Sequence, residues 1–388
     1  MSLSIIDAIL LIGAAQGLLL ATLIFHKYRA FFANRFLGLM MLFYGIIFFD
    51  LFFGEVGVYE RLPRLQLVLS GIAFLVPPLH YFYAKSLIHC TSRLDRTIWL
   101  HLLPFVVYKL ILVPDFFLST GTLVGMLHEN ERTLPMRYLF FNWAVIAQGL
   151  LYMGLTIGLL QKYARGIKEL FSTTEKVQLN WLRNITLLLT CVFLSFLTEN
   201  VFLLLDINLS NFFNFSSLLG AVSVYVMGYL GISKSGILSA PDIQQPLQQM
   251  TMQAEEPEPR YQKSGLSSEK ADTLLAGLLE LMQREMPFRD SNLTLPELAA
   301  RLSISAHNLS EVINTRLYVN FFDFINQYRV EAVKKDLADP KKQNLTLLAI
   351  AFDAGFNSKT AFNTIFKKHN GQTPSQYRQL HHPKSAQS

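Results

Sequence analysis

Apolar and polar positions divide this chain into two halves of different rhythm. Up to about residue 235, long apolar runs are separated by short polar loops; beyond residue 265, apolar residues recur at helical spacing among charged ones. A helix that crosses the hydrocarbon of a bilayer needs about 20 mostly apolar residues. Seven segments meet that requirement: 3–25, 36–53, 65–88, 98–117, 138–160, 185–205 and 213–232. The first has no basic residues ahead of it and no small-residue cleavage pattern, so it reads as a retained span. The fourth is interrupted by His101, Pro104 and Lys109. Between 239 and 264, Pro241, Pro246, Pro257 and Pro259 stand among Gln, Glu and Met without a sustained apolar period, the pattern of a flexible tether. The expected organisation is a seven-span domain over 1–236 that acts as a sensor, a tether over 237–265, and a soluble domain over 266–388. The fold class is all-α throughout.

Within the soluble half, Leu274, Leu275, Leu278, Leu279 and Met282 share one side of a helix over 269–286. Thr294-Leu295-Pro296-Glu297 has the form of a capping box, with Pro296 tolerated in the first helical turn. Leu298, Ala299 and Leu302 give that helix its apolar side, and Ser303-Ile304-Ser305 make a turn into a helix over 306–317 with Leu309, Val312 and Ile313 inward. A connecting helix is expected over 321–338. A short apolar helix over 347–354 then stops at Gly355, and Asn357 and Ser358 supply caps for the next helix. In that helix Ala361, Phe362, Ile365 and Phe366 face inward, leaving Lys359, Thr360, Asn363, Thr364 and Lys367 outside. Two short helices, a tight turn with glycine and a polar outer face describe a helix-turn-helix.

The run Gly355-Phe356-Asn357-Ser358, Phe362, Phe366-Lys367-Lys368, Gly371-Gln372-Thr373-Pro374 and Tyr377-Arg378 resembles the C-terminal signature of AraC/XylS-type transcription regulators. The resemblance covers about 293–377, under a quarter of the chain. It implies an AraC-type domain: two helix-turn-helix units joined by a long helix, with double-stranded DNA as partner. It also implies that Lys359, Thr360, Asn363 and Thr364 face the bases in the second unit, and His307, Asn308, Ser310 and Glu311 in the first. Lys367, Lys368 and Arg378 would meet phosphates. Two positions depart from the family: a basic residue is common where Glu311 stands, and glycine is common where Tyr318 stands.

Composition sharpens this picture. Hydrophobic residues make up 51% and charged residues 16% of the 388, far from the near-quarter charged share of soluble chains. The net charge of +6 is no argument for nucleic acid by itself, since residues 266–388 hold 15 Lys/Arg against 12 Asp/Glu. The placement of charge in the loops is more informative. Loops after spans one, three and five carry Lys27, Arg29, Arg35, Lys85, Arg93, Arg96, Lys162, Arg165, Lys168, Lys176 and Arg183; the others carry only Arg61, Arg64, Arg132 and Arg137. The positive-inside rule then expects the N-terminus outside and the C-terminal domain in the cytoplasm, in a bacterial cytoplasmic membrane. Cys90 and Cys191, the two cysteines, form neither a disulfide framework nor a metal cluster.

Asp50, His80, Lys109, Asn142, Gln148, Glu199 and Asn200 are polar residues inside expected spans, where polarity is costly. Two readings stand: a ligand pocket, with Glu199, Asn200 and His80 as sensor residues, or polar glue between packed helices. A small-molecule ligand, a second copy of the chain, the lipid bilayer and DNA are the expected partners. No cofactor and no metal are expected, and no HExxH, GxSxG or Walker-type run points to an enzyme. The sequence supports a membrane-anchored transcription regulator. The alternative is a multi-span transporter or membrane enzyme with a degenerate helix-turn-helix tail.

Overall fold

The computed structural model describes residues 4–28, 31–89, 97–128, 136–205, 207, 215–235 and 266–381. Cys90, Arg29, Arg93, Arg96, Arg132 and the expected tether over 237–265 lie outside the described residues. Among the described residues the regular elements are helices, apart from one antiparallel bridge between Phe171 and Thr294. The chain divides into two compact units, the first made of 1–162 and 179–240, the second of 163–178 and 241–388.

The first unit contains α1 (Ile5–Lys27), α2 (Ala33–Glu55), α3 (Val58–Arg61), α4 (Pro63–Leu69), α5 (Val76–His89), α6 (Ile98–His101), α7 (Leu103–Leu112) and α8 (Thr120–His128). It continues with most of α9 (Met136–Leu170), then α10 (Asn180–Leu204) and α11 (Phe215–Ser235). Ser4 opens α1 with a capping box: its hydroxyl accepts from the Asp7 amide at 3.1 Å, and the Asp7 carboxylate accepts from the Ser4 amide at 2.7 Å. The antiparallel pair α1–α2 crosses at glycine. A Cβ on Gly17 would lie 2.6 Å from the Gly45 nitrogen, so the two backbones touch where side chains would hold them apart. Ala14, Ala21, Leu37, Met40 and Met41 fill the rest of that seam.

Among the described residues six helical stretches are long and apolar enough to cross a membrane, one of them Pro63–His89, which joins α4 and α5 through a 3-10 turn. Their outer faces are apolar too: Ile12, Leu19, Leu151, Leu155, Leu187 and Leu194 are all exposed. The fourth expected span is not one helix. It is divided into α6, α7 and a 3-10 turn at Val113–Phe117. Pro104 and Pro114 lack the amide that a continuous helix needs. Lys109 instead turns its ammonium onto the carbonyls of Leu67, Val68 and Ser70, at 2.8, 2.8 and 2.6 Å, closing the C-terminal end of α4.

The second unit contains α12 (Ser268–Arg284), α13 (Leu295–Arg301), α14 (Ala306–Arg316), α15 (Phe321–Ala338), α16 (Leu347–Asp353), α17 (Lys359–Asn370) and α18 (Pro374–His381). Its hydrophobic centre lies where α15, α16 and α17 meet. There Val330, Val333, Leu337, Ile350, Phe356, Phe362 and Phe366 are buried.

Candidate nucleic-acid interface

The second helix-turn-helix is built by its turn. Helix α16 ends with the Gly355 amide donating to Phe352 and the Phe356 amide to Ala351, the double bond pattern of a glycine-terminated helix. Gly355 has φ +97°. Phe356 then turns inward against Phe362, ring centres 5.3 Å apart, and the series continues through Phe366 to Tyr377. Ser358 caps α17 by accepting from the Ala361 amide at 3.1 Å. With the apolar stripe of α17 fixed in this way, Lys359, Thr360, Asn363, Thr364 and Lys367 stand exposed on the other side. Asn363, Thr364, Lys367 and Lys368 share a shallow open groove with Gly371, Thr373 and Ser375.

Two of the residues expected at phosphates have partners within the unit. The Lys368 ammonium pairs with Asp323 at 2.7 Å. The Arg378 guanidinium donates to the carbonyls of Leu345, at 2.9 Å, and Gln343, and so holds the loop ahead of α16.

The first helix-turn-helix opens on the expected capping box: the Thr294 amide donates to the Glu297 carboxylate at 2.9 Å. Ser305, expected only as a turn residue, caps α14 by accepting from the Asn308 amide at 3.2 Å. Leu309, Val312 and Ile313 are buried, and His307 is exposed. Asn308, Ser310 and Glu311 are partly covered, and the Ser310 hydroxyl accepts from Asn314 at 3.3 Å. Tyr318 ends this region with φ +58° and its side chain exposed. A positive φ at that position accounts for the family's preference for glycine there.

Between the two helix-turn-helix units lies Arg329, on the connector α15 and 1% exposed. Its Nε donates to Phe288 O at 2.8 Å and its Nη2 to Asp290 O at 2.8 Å. Nη1 also donates to Asn326 Oδ1 at 3.4 Å, and the remaining acceptors come from residues 172 and 173. Nη1 donates to Ser172 O at 3.0 Å and Thr173 Oγ1 at 3.1 Å, and Nη2 to Ser172 Oγ at 3.0 Å. Asn326, one turn earlier, donates to the same Ser172 carbonyl at 3.0 Å. Burial pulls the Arg329 pKa down to about 10, against the raising influence of Asp290 and Glu175. The guanidinium is charged at neutral pH and its donors face oxygens. The helical spacing of Ile325, Arg329 and Val333 puts Arg329 on the inward face of α15, a signal available in the sequence and absent from the expected site.

Several polar residues of the first unit make interhelical hydrogen bonds, whereas the buried side-chain amide of Gln148 makes none. His80 is fully buried and its Nε2 lies 3.0 Å from Thr186 Oγ1, whose own proton goes to Leu182 O at 2.8 Å, so His80 is the donor. Glu199 accepts from Ser216 at 2.9 Å, and Asn200 accepts from Asn142. Asn142 also lines a cavity of about 380 Å³ with Asp50, Tyr44, Tyr108 and an apolar wall that includes Phe74, Phe141 and Phe193. Of the three expected sensor residues none lines this cavity; Asn200 reaches it through Asn142. Among the described residues no three His, Cys, Asp or Glu side chains gather as a metal site.

Two helix-turn-helix units on one connecting helix define a class of protein domain, the bipartite helix-turn-helix. Residues 298–380 match the family described as a helix-turn-helix domain. An uncharacterised helix-turn-helix-type transcriptional regulator of Staphylococcus aureus strain COL is 36% identical over 94 residues, 24% of this chain and 12% of that protein. The melibiose operon regulatory protein of Escherichia coli K12 is 30% identical over 91 residues, 24% of this chain and 29% of that protein. The solved C-terminal domain of AraT, a response regulator from Geobacillus stearothermophilus, shares 28% identity over 30% of this chain and 88% of its own, with a TM-score of 0.25. A protein of unknown function from Listeria innocua shares 29% identity over 28% of this chain and 96% of its own, also with a TM-score of 0.25. By the family match over 298–380 and the curated relatives, the C-terminal region carries an AraC-type helix-turn-helix domain, as the motifs from Gly355 to Arg378 imply. The chain spans 12 to 29% of the length of these curated relatives.

Proposed function

We propose that this chain is a membrane-anchored, sequence-specific DNA-binding transcription regulator that couples a signal at a bacterial cytoplasmic membrane to gene expression, without catalysis of its own. The observation that carries the reading is the exposed face of α17, where Lys359, Thr360, Asn363 and Thr364 stand on a helix pinned from behind by Phe362 and Phe366. Lys and Asn are the side chains that pair with guanine and adenine edges in the major groove. His307, Asn308, Ser310 and Glu311 occupy the matching helix α14; Lys367 supplies free positive charge for phosphates, and Lys368 and Arg378 join it when their contacts with Asp323 and the Leu345 and Gln343 carbonyls open. The six apolar helices anchor the chain, with the N-terminus outside and the DNA-binding unit in the cytoplasm.

The signal is a small, largely apolar molecule entering the cavity beside Asp50 and Asn142. A ligand there disturbs the bond from Asn142 to Asn200, and through α10 and α11 the bond from Ser216 to Glu199. His80 holds α5 to α10 as the fixed point of that change. Association of two copies through the apolar half brings two DNA-binding units to one promoter at high effective concentration.

The test is a footprint and mobility-shift titration with the full chain in lipid nanodiscs. Lys359→Ala with Asn363→Ala is expected to weaken binding to the footprinted site far more than binding to an arbitrary duplex. Equal losses on both would defeat base reading by α17. A reporter fused after Ser388 that lies outside the cell would defeat the proposed orientation.

A further inference from the structure

Residues 171–178 belong to the second unit although they stand in the chain between α9 and α10. They fall into two parts with different attachment. The first part, Phe171 to Thr173, is an anchor. Phe171 bridges Thr294; the Ser172 amide and hydroxyl donate to Leu293 O at 3.2 and 2.7 Å; and the Thr173 hydroxyl donates to Ser291 O at 2.7 Å. Arg329 and Asn326 close on the same residues from α15. Removing this part would leave the buried guanidinium with Phe288 O, Asp290 O and Asn326 Oδ1 and take away its acceptors on Ser172 and Thr173, a costly loss for a buried charge.

The second part, Thr174 to Gln178, lies over the second recognition helix. Thr174, Glu175 and Gln178 line a cavity of about 210 Å³ together with Asn357, Thr360 and Thr364. Two of those, Thr360 and Thr364, are base-reading candidates. Glu175 is exposed, and its carboxylate accepts from the Ser358 hydroxyl at 3.1 Å, at the capping residue of α17. The N-terminal end of a helix attracts anions, which is why phosphates settle there. In this chain the anion already present is a side chain of the segment.

We infer that the segment 174–178 and duplex DNA compete for the N-terminal end of α17, with Glu175 standing where a phosphate would come, so that this segment restrains the second recognition helix. The inference rests on the DNA-binding reading above. It names an interaction surface, Asn357, Ser358, Thr360 and Thr364, with two alternative partners: an acidic segment of the same chain and the phosphate edge of a duplex. The anchor at Ser172 keeps the segment local after it is displaced, so that it rebinds as an intramolecular competitor. Because the segment is continuous in the chain with α9 and α10, a change in those helices reaches α17 without passing through residues 237–265.

The experiment uses the full chain in nanodiscs and a duplex enriched by that chain from a random-sequence pool. Wild type is compared with Glu175→Gln, which keeps an acceptor for Ser358 and removes the charge, and with Glu280→Gln, a control on exposed α12. Glu175→Gln is expected to tighten binding about threefold at low salt, the scale of one exposed charge, and less as salt rises. Glu280→Gln is expected to leave affinity as it is. In wild type, amide exchange over 174–178 is expected to quicken when DNA is bound while the Ser172 amide stays protected. Unchanged or weaker binding by Glu175→Gln, or slower exchange over 174–178 in the complex, overturns the inference and leaves DNA binding intact. Absence of binding by every form at every salt concentration overturns the DNA-binding reading and the inference with it.

Discussion

A methyl group on Gly355 would lie 2.3 Å from the carbonyl oxygen of Phe288. The turn of the second helix-turn-helix is thus pressed against the backbone that leads into the first. The same Phe288 carbonyl accepts from Arg329, so turn, connector and entry segment meet at one oxygen. Gly355→Ala is expected to destabilise the second unit by about 3 kcal/mol, from the clash together with the positive φ. Amide exchange of α16 and α17 in the full chain measures it, and protection equal to wild type would show that the contact relaxes at little cost.

Tyr318 is the opposite case. It holds φ +58° with an exposed side chain, so it bears the cost of the left-handed region with little packing in return. Tyr318→Gly is expected to stabilise the first helix-turn-helix by about 1 kcal/mol. Exchange of the α14 amides would slow accordingly.

Lys367 and Lys368 are adjacent but differ in circumstance. Lys367 is exposed, whereas Lys368 is neutralised by Asp323 at 2.7 Å. Lys367→Ala is expected to reduce the salt slope of DNA binding by about one unit. Lys368→Ala is expected to reduce it by less and to loosen α17 from α15. Equal slopes for the two variants would show that the pair with Asp323 opens on DNA.

His369 sets an acid limit. Burial and the neighbouring Lys368 lower its pKa from the ordinary 6.5, and Asp323 and Glu331 only partly oppose them. A histidine with a lowered folded-state pKa takes up its proton more readily when unfolded. Its contribution is therefore complete above pH 6.5 and is lost as pH falls below it. Protection of the α17 amides is expected to fall from pH 7.5 to pH 5.5, and by less in His369→Gln.

Much of the second unit was legible because its determinants are local. Thr294 with Glu297, the turn over Ser303–Ser305, the cap Ser358, the stop at Gly355 and the stripe Phe362–Ile365–Phe366 are each set within four residues. What escaped depends on distance. Arg329 meets Ser172 across 157 positions, and no periodicity announces such a meeting. Lys368 and Arg378 stand where the resemblance implies phosphate contacts, and only the fold brings Asp323 and the Gln343 carbonyl beside them. The break in the fourth apolar segment was signalled by Pro104 and Lys109, but the use of Lys109 as a cap on α4 needed the neighbouring backbone.

The strand-like contact of Phe171 with Thr294 bears on how the second unit can be cut from the rest of the chain. A single cut between 237 and 265 would leave Ser172 and Thr173 on the other fragment, so Arg329 would keep Phe288 O and Asp290 O but lose its acceptors on those two residues. A fragment begun at residue 266 therefore lacks part of its own fold, since the second unit also takes in 163–178.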